Sequence, residues 1–102
     1  MSKRTLDVRH NASAHRFEAD VEGGIARADY RLQGDVMRIV HTEVPYASEG
    51  RGFAAQVVRA ALDPARERGL RVQPLCSYVR SYMRRHPETH DLLPAGGGGS
   101  DD

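Results

Sequence analysis

Apolar and polar side chains alternate with a period of two through much of the first half of the chain. This alternation is typical of an antiparallel strand with one face on a core and one face in water. It predicts strands over residues 14–21 and 24–33, with a weaker candidate at 6–10. The alternating apolar positions are Phe17, Ala19 and Val21 in the first strand and Ala26, Ala28, Tyr30 and Leu32 in the second.

Residues 36–44 form the most apolar segment, and their weak alternation predicts a strand that is buried on both faces. Pro45 ends this strand, because proline cannot donate a hydrogen bond to a neighbouring strand. Glycine-containing segments at 22–24 and 33–35 are turns at hairpin spacing. The first half therefore predicts three or four antiparallel strands.

The period of the apolar positions becomes helical after residue 50 and predicts a helix over 51–62. Pro64 leaves two alternatives: it kinks this helix, or Asp63 caps a fresh turn that has Pro64 at its first position. Gly69 is a stop signal for the segment. The apolar stripe consists of Phe53, Val57, Val58, Ala61 and Leu62.

Residues 70–75 predict a further strand and residues 77–85 a second helix, with Ser77 or a close neighbour as its N-cap. The tail at 94–102 contains four consecutive glycines and is predicted to be disordered. The order of elements predicts a single α+β (mixed α/β) domain over residues 1–93, with a mostly antiparallel sheet and two helices.

Composition narrows the class of protein. The chain has 102 residues and a formal net charge of +1, which argues against a dedicated nucleic-acid binder. No apolar run reaches the roughly 20 residues of a membrane span, and no long apolar stretch follows the N-terminus as in a signal peptide. Cys76 is the single cysteine, so no disulfide framework forms within the chain and we expect a cytoplasmic protein.

Residues 49–54 place a glycine-containing loop between the strand at 36–44 and the first helix. Glycine lets the backbone approach a ligand closely, and a helix start offers unpaired N–H groups and the positive end of the helix dipole. These features suit phosphate or pyrophosphate. The loop lacks the lysine of a P-loop and the Rossmann spacing. An ordinary loop at a helix start has the same pattern, so both interpretations stay open.

The order of strand, glycine loop, helix, strand and helix resembles the core of the GNAT acetyltransferase superfamily. The pyrophosphate motif of that superfamily is Gln/Arg-x-x-Gly-x-Gly/Ala. Here Gly52 and Ala54 match it, and Glu49 stands where glutamine or arginine is usual.

A closer resemblance, over about residues 10–93, is to a short single-domain branch of that superfamily with a Gly-rich loop plus a cysteine. Pro64, inside a helix expected to be continuous, and Thr89, where an aromatic residue is usual, depart from its pattern. The strings that carry the resemblance include His41-Thr42-Glu43-Val44-Pro45, Gly50-Arg51-Gly52, Pro74-Leu75-Cys76-Ser77-Tyr78-Val79 and His86-Pro87-Glu88.

This resemblance implies a GNAT-like acyl-CoA N-acyltransferase fold that takes acetyl-CoA and an amine acceptor. We expect a monomer without a nucleic-acid or membrane partner. The residues that it implies for binding the cofactor are Val44, Gly50, Arg51, Gly52, Phe53, Ala54 and Ala55.

Cys76 follows the strand at 70–75 and opens the second helix, and a helix N-terminus lowers the pKa of a thiol. The resemblance places it near the acetyl thioester, either as an acetyl-accepting nucleophile or as part of the lining. A buried structural thiol is the other interpretation.

Imidazole side chains ordinarily titrate near neutral pH, so His41 is a candidate base, and Glu43 shares its strand face. With Cys76 on the adjacent strand, His41 would form a base–nucleophile pair. The resemblance implies that Tyr82 is the acid that protonates the departing CoA thiolate. Packing in the core is the alternative for both His41 and Tyr82.

Two further groups of residues, on the second helix and just after it, are candidates for binding a phosphate or a metal. The arginines at 80, 84 and 85 either bind the ribose 3′-phosphate of CoA or form a solvated helix face. His86 and His90 lack a third ligand, and Pro87 breaks helical spacing between them, so we expect no metal.

Three functions follow from these patterns. The expected one is an acetyl-CoA-dependent N-acetyltransferase with an unidentified amine acceptor. The alternatives are a non-catalytic acyl-CoA-binding module and a protein–protein adaptor with the same fold. The chain is short for this superfamily, and the helices that shape the acceptor pocket in larger GNAT enzymes are missing from the pattern.

Overall fold

A computed structural model describes residues 4–94 of the chain. The elements are β1 Arg9–Asn11, β2 Arg16–Val21, β3 Gly24–Gln33, β4 Val36–Glu43, α1 Phe53–Glu67, β5 Arg71–Pro74 and α2 Ser77–Arg85, with short 3-10 turns at Ala12–Ala14, Tyr46–Ser48 and Pro87–Leu92. The five strands form one sheet in the order β1-β2-β3-β4-β5; the first four pair antiparallel, and β5 pairs parallel to β4. The predicted disordered tail lies outside the described residues, apart from Pro94.

This architecture confirms the predicted α+β class and the mostly antiparallel sheet with two main helices. The parallel connection from β4 to β5 runs through α1, since parallel neighbours need a long crossover. Both helices contribute apolar side chains to one cluster on the same face of the sheet. That cluster includes Met37 and Ile39 from β4, Val58 and Leu62 from α1, and Val79 and Met83 from α2.

The prediction that β4 is buried on both faces is wrong. Met37 and Ile39 are fully buried under the helices, whereas Val36, Arg38 and Val40 are only half-buried. The reason is that both helices of the described chain cover one face and leave the other to solvent.

Ion pairs cover this second face of the sheet. Arg9 pairs with Glu18 at 3.0 Å, and Arg27 pairs with Glu43 at 3.2 Å. The Glu18 side chain is only 7% exposed, because neighbouring arginines lie across it. Paired charges of both signs make this face compatible with water without a covering layer.

The predicted strand at 6–10 is wrong for most of its length, because β1 spans only Arg9–Asn11. The preceding segment is held by the side chain of Gln56 on α1. The Leu6 N–H donates to Gln56 Oε1 at 2.7 Å, and Gln56 Nε2 donates to the Arg4 carbonyl at 2.7 Å. Leu6 is buried beside alanines of β2 and β3, whose small side chains leave room for it.

Helix α1 begins two residues later than predicted and runs through Pro64, so the alternative of a fresh turn capped by Asp63 is wrong. Its buried stripe extends past the proline to Ala65. The helix then ends in a Schellman motif, in which the Gly69 N–H donates to the Arg66 carbonyl at 3.2 Å and the Leu70 N–H to the Ala65 carbonyl at 2.8 Å. Gly69 has a φ of 72°, as its predicted role requires.

Candidate active site

Strands β4 and β5 separate at one end of the sheet. They pair over residues 36–39 and 71–74, and beyond that point the N–H groups of Leu75 and Cys76 both donate to the Ile39 carbonyl, at 3.0 and 3.2 Å. β4 continues to Glu43 without a strand partner on this side among residues 4–94. The separation therefore leaves a backbone edge available for pairing with an extended ligand.

An irregularity in β4 sets which side chains flank this opening. Tyr30 pairs with Ile39 but Asp29 pairs with His41, so Val40 is an extra residue in the ladder. After it, Thr42 stands opposite Ala28 on the helix-covered face, and His41 stands opposite Asp29 on the charged face.

The loop between β4 and α1 is anchored to the turn between β2 and β3. Ser48 is fully buried, and its Oγ donates to the Glu22 carbonyl at 2.7 Å. A Cβ on Gly23 would lie 3.1 Å from the Cβ of Ala47 and 3.2 Å from that of Pro45. The absence of a side chain at Gly23 therefore lets the turn support the loop closely.

Two glycines connect the loop to the start of α1. Gly50 and Gly52 have φ values of 81° and 77°, in the left-handed region that favours glycine. The first helical hydrogen bond runs from the Gln56 N–H to the Gly52 carbonyl. The N–H groups of residues 53–55 find no acceptor in the described part of the chain, as expected for a first helical turn.

Charge and space at this loop also fit an anion. The guanidinium of Arg51 pairs with Glu22 at 3.3 Å, with both side chains more than half exposed. A Cβ built on Gly50 would meet no atom within 4 Å, so the space in front of the loop is open. Val44 lies half-buried against the cluster that contains Phe53.

Cys76 is the N-cap of α2 and lies beside the unpaired part of β4, with its Sγ 3.5 Å from Thr42 Oγ1. Burial acts to raise the pKa of the thiol. The Thr42 hydroxyl and the backbone N–H groups of Val79, Tyr78 and Thr42 act in the opposite direction and leave the pKa below its usual value. The site therefore stabilises a thiolate at the opening between β4 and β5.

His41 and Cys76 are not brought together as the predicted pair. The His41 Nε2 lies 3.1 Å from Glu43 Oε1 on the charged face, whereas the contact of Cys76 is with Thr42. Adjacent residues of a strand point to opposite faces, so His41 and Thr42 flank the opening from two sides. The hydrogen bond from His41, and then the charge of Arg27, lower the pKa of Glu43.

Comparison with known proteins identifies this arrangement. The profile of the GCN5-related N-acetyl-transferase family matches residues 16–92. The chain belongs to the GCN5-related N-acetyltransferase family.

Relatives and a solved structure agree with this assignment. The chain is 35% identical to Protein NATD1 of Homo sapiens over 85 residues, covering 80% of this chain and 75% of that protein. It is 34% identical to Protein NATD1 of Gallus gallus, covering 80% and 77%. The solution structure of a GCN5-like candidate N-acetyltransferase from Staphylococcus aureus aligns with a TM-score of 0.69 at 22% identity, over 99% of this chain and 95% of that chain, which supports the shared fold.

Tyr82, the predicted acid of this acetyltransferase-family chain, lines a pocket between α1, α2 and the 3-10 turn Pro87–Leu92. Burial raises the pKa of its hydroxyl, and Arg59 acts to lower it. Its ring stacks on His86, with centroids 4.1 Å apart. None of the contacts among residues 4–94 joins its hydroxyl to Cys76 or Thr42, so the acid role stays a prediction.

Of the other predicted groups, Arg80, His86 and His90 have structural partners, and Arg84 and Arg85 are exposed on α2. Arg80 donates to the Leu75 carbonyl at 2.8 Å and so covers the end of β5. His86 Nδ1 lies 3.2 Å from Glu88 Oε2, and His90 Nε2 lies 2.8 Å from the Met83 carbonyl. No group of three or more potential metal ligands occurs in residues 4–94. None of the described helices has the length and apolar character that a membrane crossing needs.

Thr42 is the site residue that sequence reasoning missed. It stands inside the string that carries the family resemblance, yet only the register shift at Val40 directs its hydroxyl to Cys76. The available signal is the position of Thr42 next to a candidate base in β4.

Proposed function

We propose that the protein is an acetyl-CoA-dependent N-acetyltransferase that transfers an acetyl group to an amine. The observation that carries this proposal is the convergence of three features at one end of the sheet. These are the free N–H groups at residues 53–55, the unpaired edge of β4, and the position of Cys76, where the thiolate is stabilised. Family membership supports the same reaction.

In this proposal the loop and the first turn of α1 bind the pyrophosphate of acetyl-CoA. Backbone N–H groups and the helix dipole supply the attraction, and Arg51 adds a cation. The unpaired edge from residue 40 of β4 to Val44, just after its end, accepts the amide groups of the pantetheine arm as it would accept a strand. Acetyl-CoA supplies an activated acyl group as its thioester. The residues that hold it are Val44, Gly50, Arg51, Gly52, Phe53, Ala54 and Ala55.

Cys76 stands where the thioester would end, and two routes are open to it. In one route the acceptor amine attacks the thioester carbonyl directly and Cys76 lines the slot. In the other route the Cys76 thiolate attacks first, an S-acetyl bond forms on Sγ, and the CoA thiolate leaves and takes up a proton. The amine then attacks the acetyl-cysteine and returns the thiolate. Thr42 and the first turn of α2 stabilise the thiolate before it attacks and again after the amine has displaced it.

His41 is the proposed base for the acceptor amine. It lies on the opposite side of β4 from Cys76, with its side chain 51% exposed, so an amine can approach it from solvent. Glu43 orients the imidazole through the 3.1 Å contact. The proton of the attacking amine passes to His41 in this scheme, and Tyr82 remains the predicted donor to the CoA thiolate.

A non-catalytic acyl-CoA-binding module is the second candidate. The observation that favours it is the exposure of His41 and Glu43 on the face that neither helix covers. No described element encloses an acceptor amine there. Holding acyl-CoA needs only the loop and the β4 edge.

Release of CoA from acetyl-CoA with a panel of amines separates the two candidates. We expect the parent to release CoA faster than buffer with at least one amine, and Cys76→Ala and His41→Ala to lower that rate by about tenfold or more. Intact-mass measurement in the absence of amine distinguishes the routes, because only the second adds an acetyl group to Cys76. Release at the buffer rate by the parent and both variants would refute catalysis.

A further inference from the structure

One carboxylate oxygen on the charged face of the sheet contacts two side chains at once. Glu43 Oε1 lies 3.1 Å from His41 Nε2 and 3.2 Å from Arg27 Nη2. A guanidinium is always a donor, so it stabilises the ionised form of the carboxylate that it contacts. The hydrogen bond from His41 and the charge of Arg27 both lower the pKa of Glu43. Glu43 therefore meets His41 as a carboxylate that has no proton to donate.

This contact determines where the hydrogen of a neutral His41 ring lies. A neutral imidazole has one N–H donor and one accepting nitrogen, and the hydrogen bond of one nitrogen sets the role of the other. Because an ionised carboxylate only accepts, the nitrogen that faces Glu43 must carry the hydrogen. Nε2 is then the donor and Nδ1 has the lone pair. Within residues 4–94 the His41 ring makes no other hydrogen bond, which leaves Nδ1 free to take a proton.

The position of Arg27 also explains why His41 contacts Glu43 and not Asp29. Asp29 stands directly opposite His41 in the ladder, where the side chains of two strands ordinarily interact. Asp29 is instead engaged by Arg27 at 3.4 Å and by Arg16 at 3.5 Å. Its Oδ1 is buried and makes no hydrogen bond in the described part of the chain, so it could accept from His41 if Arg27 were removed. Arg27 thus lies between the two carboxylates that flank the imidazole.

We propose that Arg27 is a positioning residue of the acetyl-transfer site. It holds the Glu43 carboxylate against His41 Nε2, which leaves Nδ1 as the atom that takes the proton of the acceptor amine. This inference rests on the proposed function, because it assigns an atom to the base of that reaction. As the amine nitrogen forms its bond to the acetyl carbonyl carbon, the C–S bond of the thioester breaks and the amine proton passes to Nδ1. Both ring nitrogens then carry hydrogen, and the new positive charge lies beside Glu43.

Imidazole 15N NMR of the full chain tests this arrangement without turnover. Spectra at alkaline pH, where imidazole side chains are neutral, show which nitrogen carries the hydrogen. We expect the hydrogen of His41 on Nε2 in the parent. Arg27→Gln should spread it over both nitrogens, because Asp29 and Glu43 then compete for the ring. Arg27→Lys, which keeps a cation beside Glu43, should restore most of the parent's 15N shifts.

The titration of Glu43, followed by 13C NMR of its carboxyl group, gives a second readout. Arg27→Gln removes a charge that lowers the pKa of Glu43, so the titration should move to higher pH. The matched control is Arg9→Gln, at the far end of the same cross-strand row, where Arg9 pairs with Glu18 and Asp20. It should remove comparable ion pairs and leave both the His41 shifts and the Glu43 titration unchanged.

Kinetics connect the arrangement to the reaction. With an amine that the parent acetylates, Arg27→Gln should lower kcat about tenfold and leave the KM for acetyl-CoA unchanged. The inference is overturned if the parent carries the hydrogen on Nδ1, or if Arg27→Gln keeps both the parent's His41 shifts and its Glu43 titration. A parent that releases no CoA with any amine refutes the proposed function, and the 15N spectra still decide whether Arg27 sets the position of the hydrogen on His41.

Discussion

The Cys76 thiol lies where two backbone segments and one hydroxyl meet. Burial disfavours its charged form, but Thr42 and the first turn of α2 outweigh this and lower its pKa. A cysteine in this setting is more ionised near neutral pH than an ordinary surface cysteine. We therefore expect the reactivity of Cys76 to depend on its surroundings at the opening between β4 and β5.

Replacing Thr42 with valine tests whether its hydroxyl lowers the pKa of Cys76. Thr42→Val removes the hydroxyl that lies 3.5 Å from Sγ, so the pKa of Cys76 should rise. Alkylation by iodoacetamide at neutral pH should slow by a factor of about three to ten. The inflection of its pH–rate profile should move to higher pH.

The matched control is Thr5→Val, at an exposed threonine of the N-terminal segment, which should leave the profile unchanged. If Thr42→Val gives the parent's profile, the hydroxyl does not set the pKa of Cys76.

Single residues also show where sequence reasoning reached its limit. Cys76 could be placed at a helix start, because the boundary between an apolar strand and a helical pattern is visible in the sequence. The pairing of Cys76 with His41 could not be predicted from the sequence in the same way. A pairing across two strands depends on strand register, and the extra residue Val40 shifts that register.

At the level of elements, the glycine loop between β4 and α1 depends on a turn that is distant in sequence. The 3-10 turn Tyr46–Ser48 rests on the turn between β2 and β3, through the Ser48 hydrogen bond and close packing on Gly23. The loop conformation is therefore set by tertiary contact as well as by its own glycines.

Two glycines with left-handed backbones provide a matched comparison. Gly23 and Gly34 have φ values of 90° and 61°, and alanine in this region costs about 1–2 kcal/mol. At Gly23 the new Cβ would also crowd Pro45 and Ala47, whereas at Gly34 it would meet no atom within 4 Å. Gly23→Ala should therefore lower the free energy of unfolding, measured with urea, more than Gly34→Ala does.

The two glycine variants should also differ in their affinity for acetyl-CoA. Gly23→Ala should weaken acetyl-CoA binding because it displaces the loop, and Gly34→Ala should not. Equal losses of stability together with equal affinities would contradict the proposed support of the loop.

Pro64 is the residue of α1 that is least compatible with a helical backbone. It lacks the N–H that would donate to the carbonyl of Ala60, yet the helix runs through it. Pro64→Ala should raise the free energy of unfolding by about 1–3 kcal/mol, with part of the gain offset by a more flexible unfolded chain. Urea unfolding checks this, and an unchanged or lower stability would show that the proline fits its site without cost.

Element bounds were predictable where one periodicity ran between clear turn signals. The bounds of β3 and α2 agree with the prediction for this reason. The predicted strand around Leu6 is wrong, because backbone groups of this segment bond to the Gln56 side chain, a contact that the local pattern does not encode. Helix α1 begins at Phe53 and not at residue 51 as predicted, because Gly52 adopts a left-handed conformation that cannot continue a helix.

At the scale of the whole molecule, the domain is a sheet with one covered and one charged face. The helices bury the apolar side, and ion pairs such as Arg27–Glu43 make the other side compatible with water. The open end of the sheet, where β4 loses its partner, lies between these two environments. The fold class was predictable from element order and family resemblance, but which face the helices cover was not.

The most direct test of the proposed acetyl-CoA site is thermal unfolding with three ligands: acetyl-CoA, its 3′-dephospho form and S-acetyl-pantetheine. A ligand at 100 times its dissociation constant stabilises the folded state by about 2.7 kcal/mol, which raises the Tm of a domain of this size by several degrees. We expect such a rise with acetyl-CoA and its dephospho form and none with S-acetyl-pantetheine, which lacks the pyrophosphate. No rise with any ligand at millimolar concentration, or an equal rise with S-acetyl-pantetheine, would contradict a pyrophosphate site at residues 50–55.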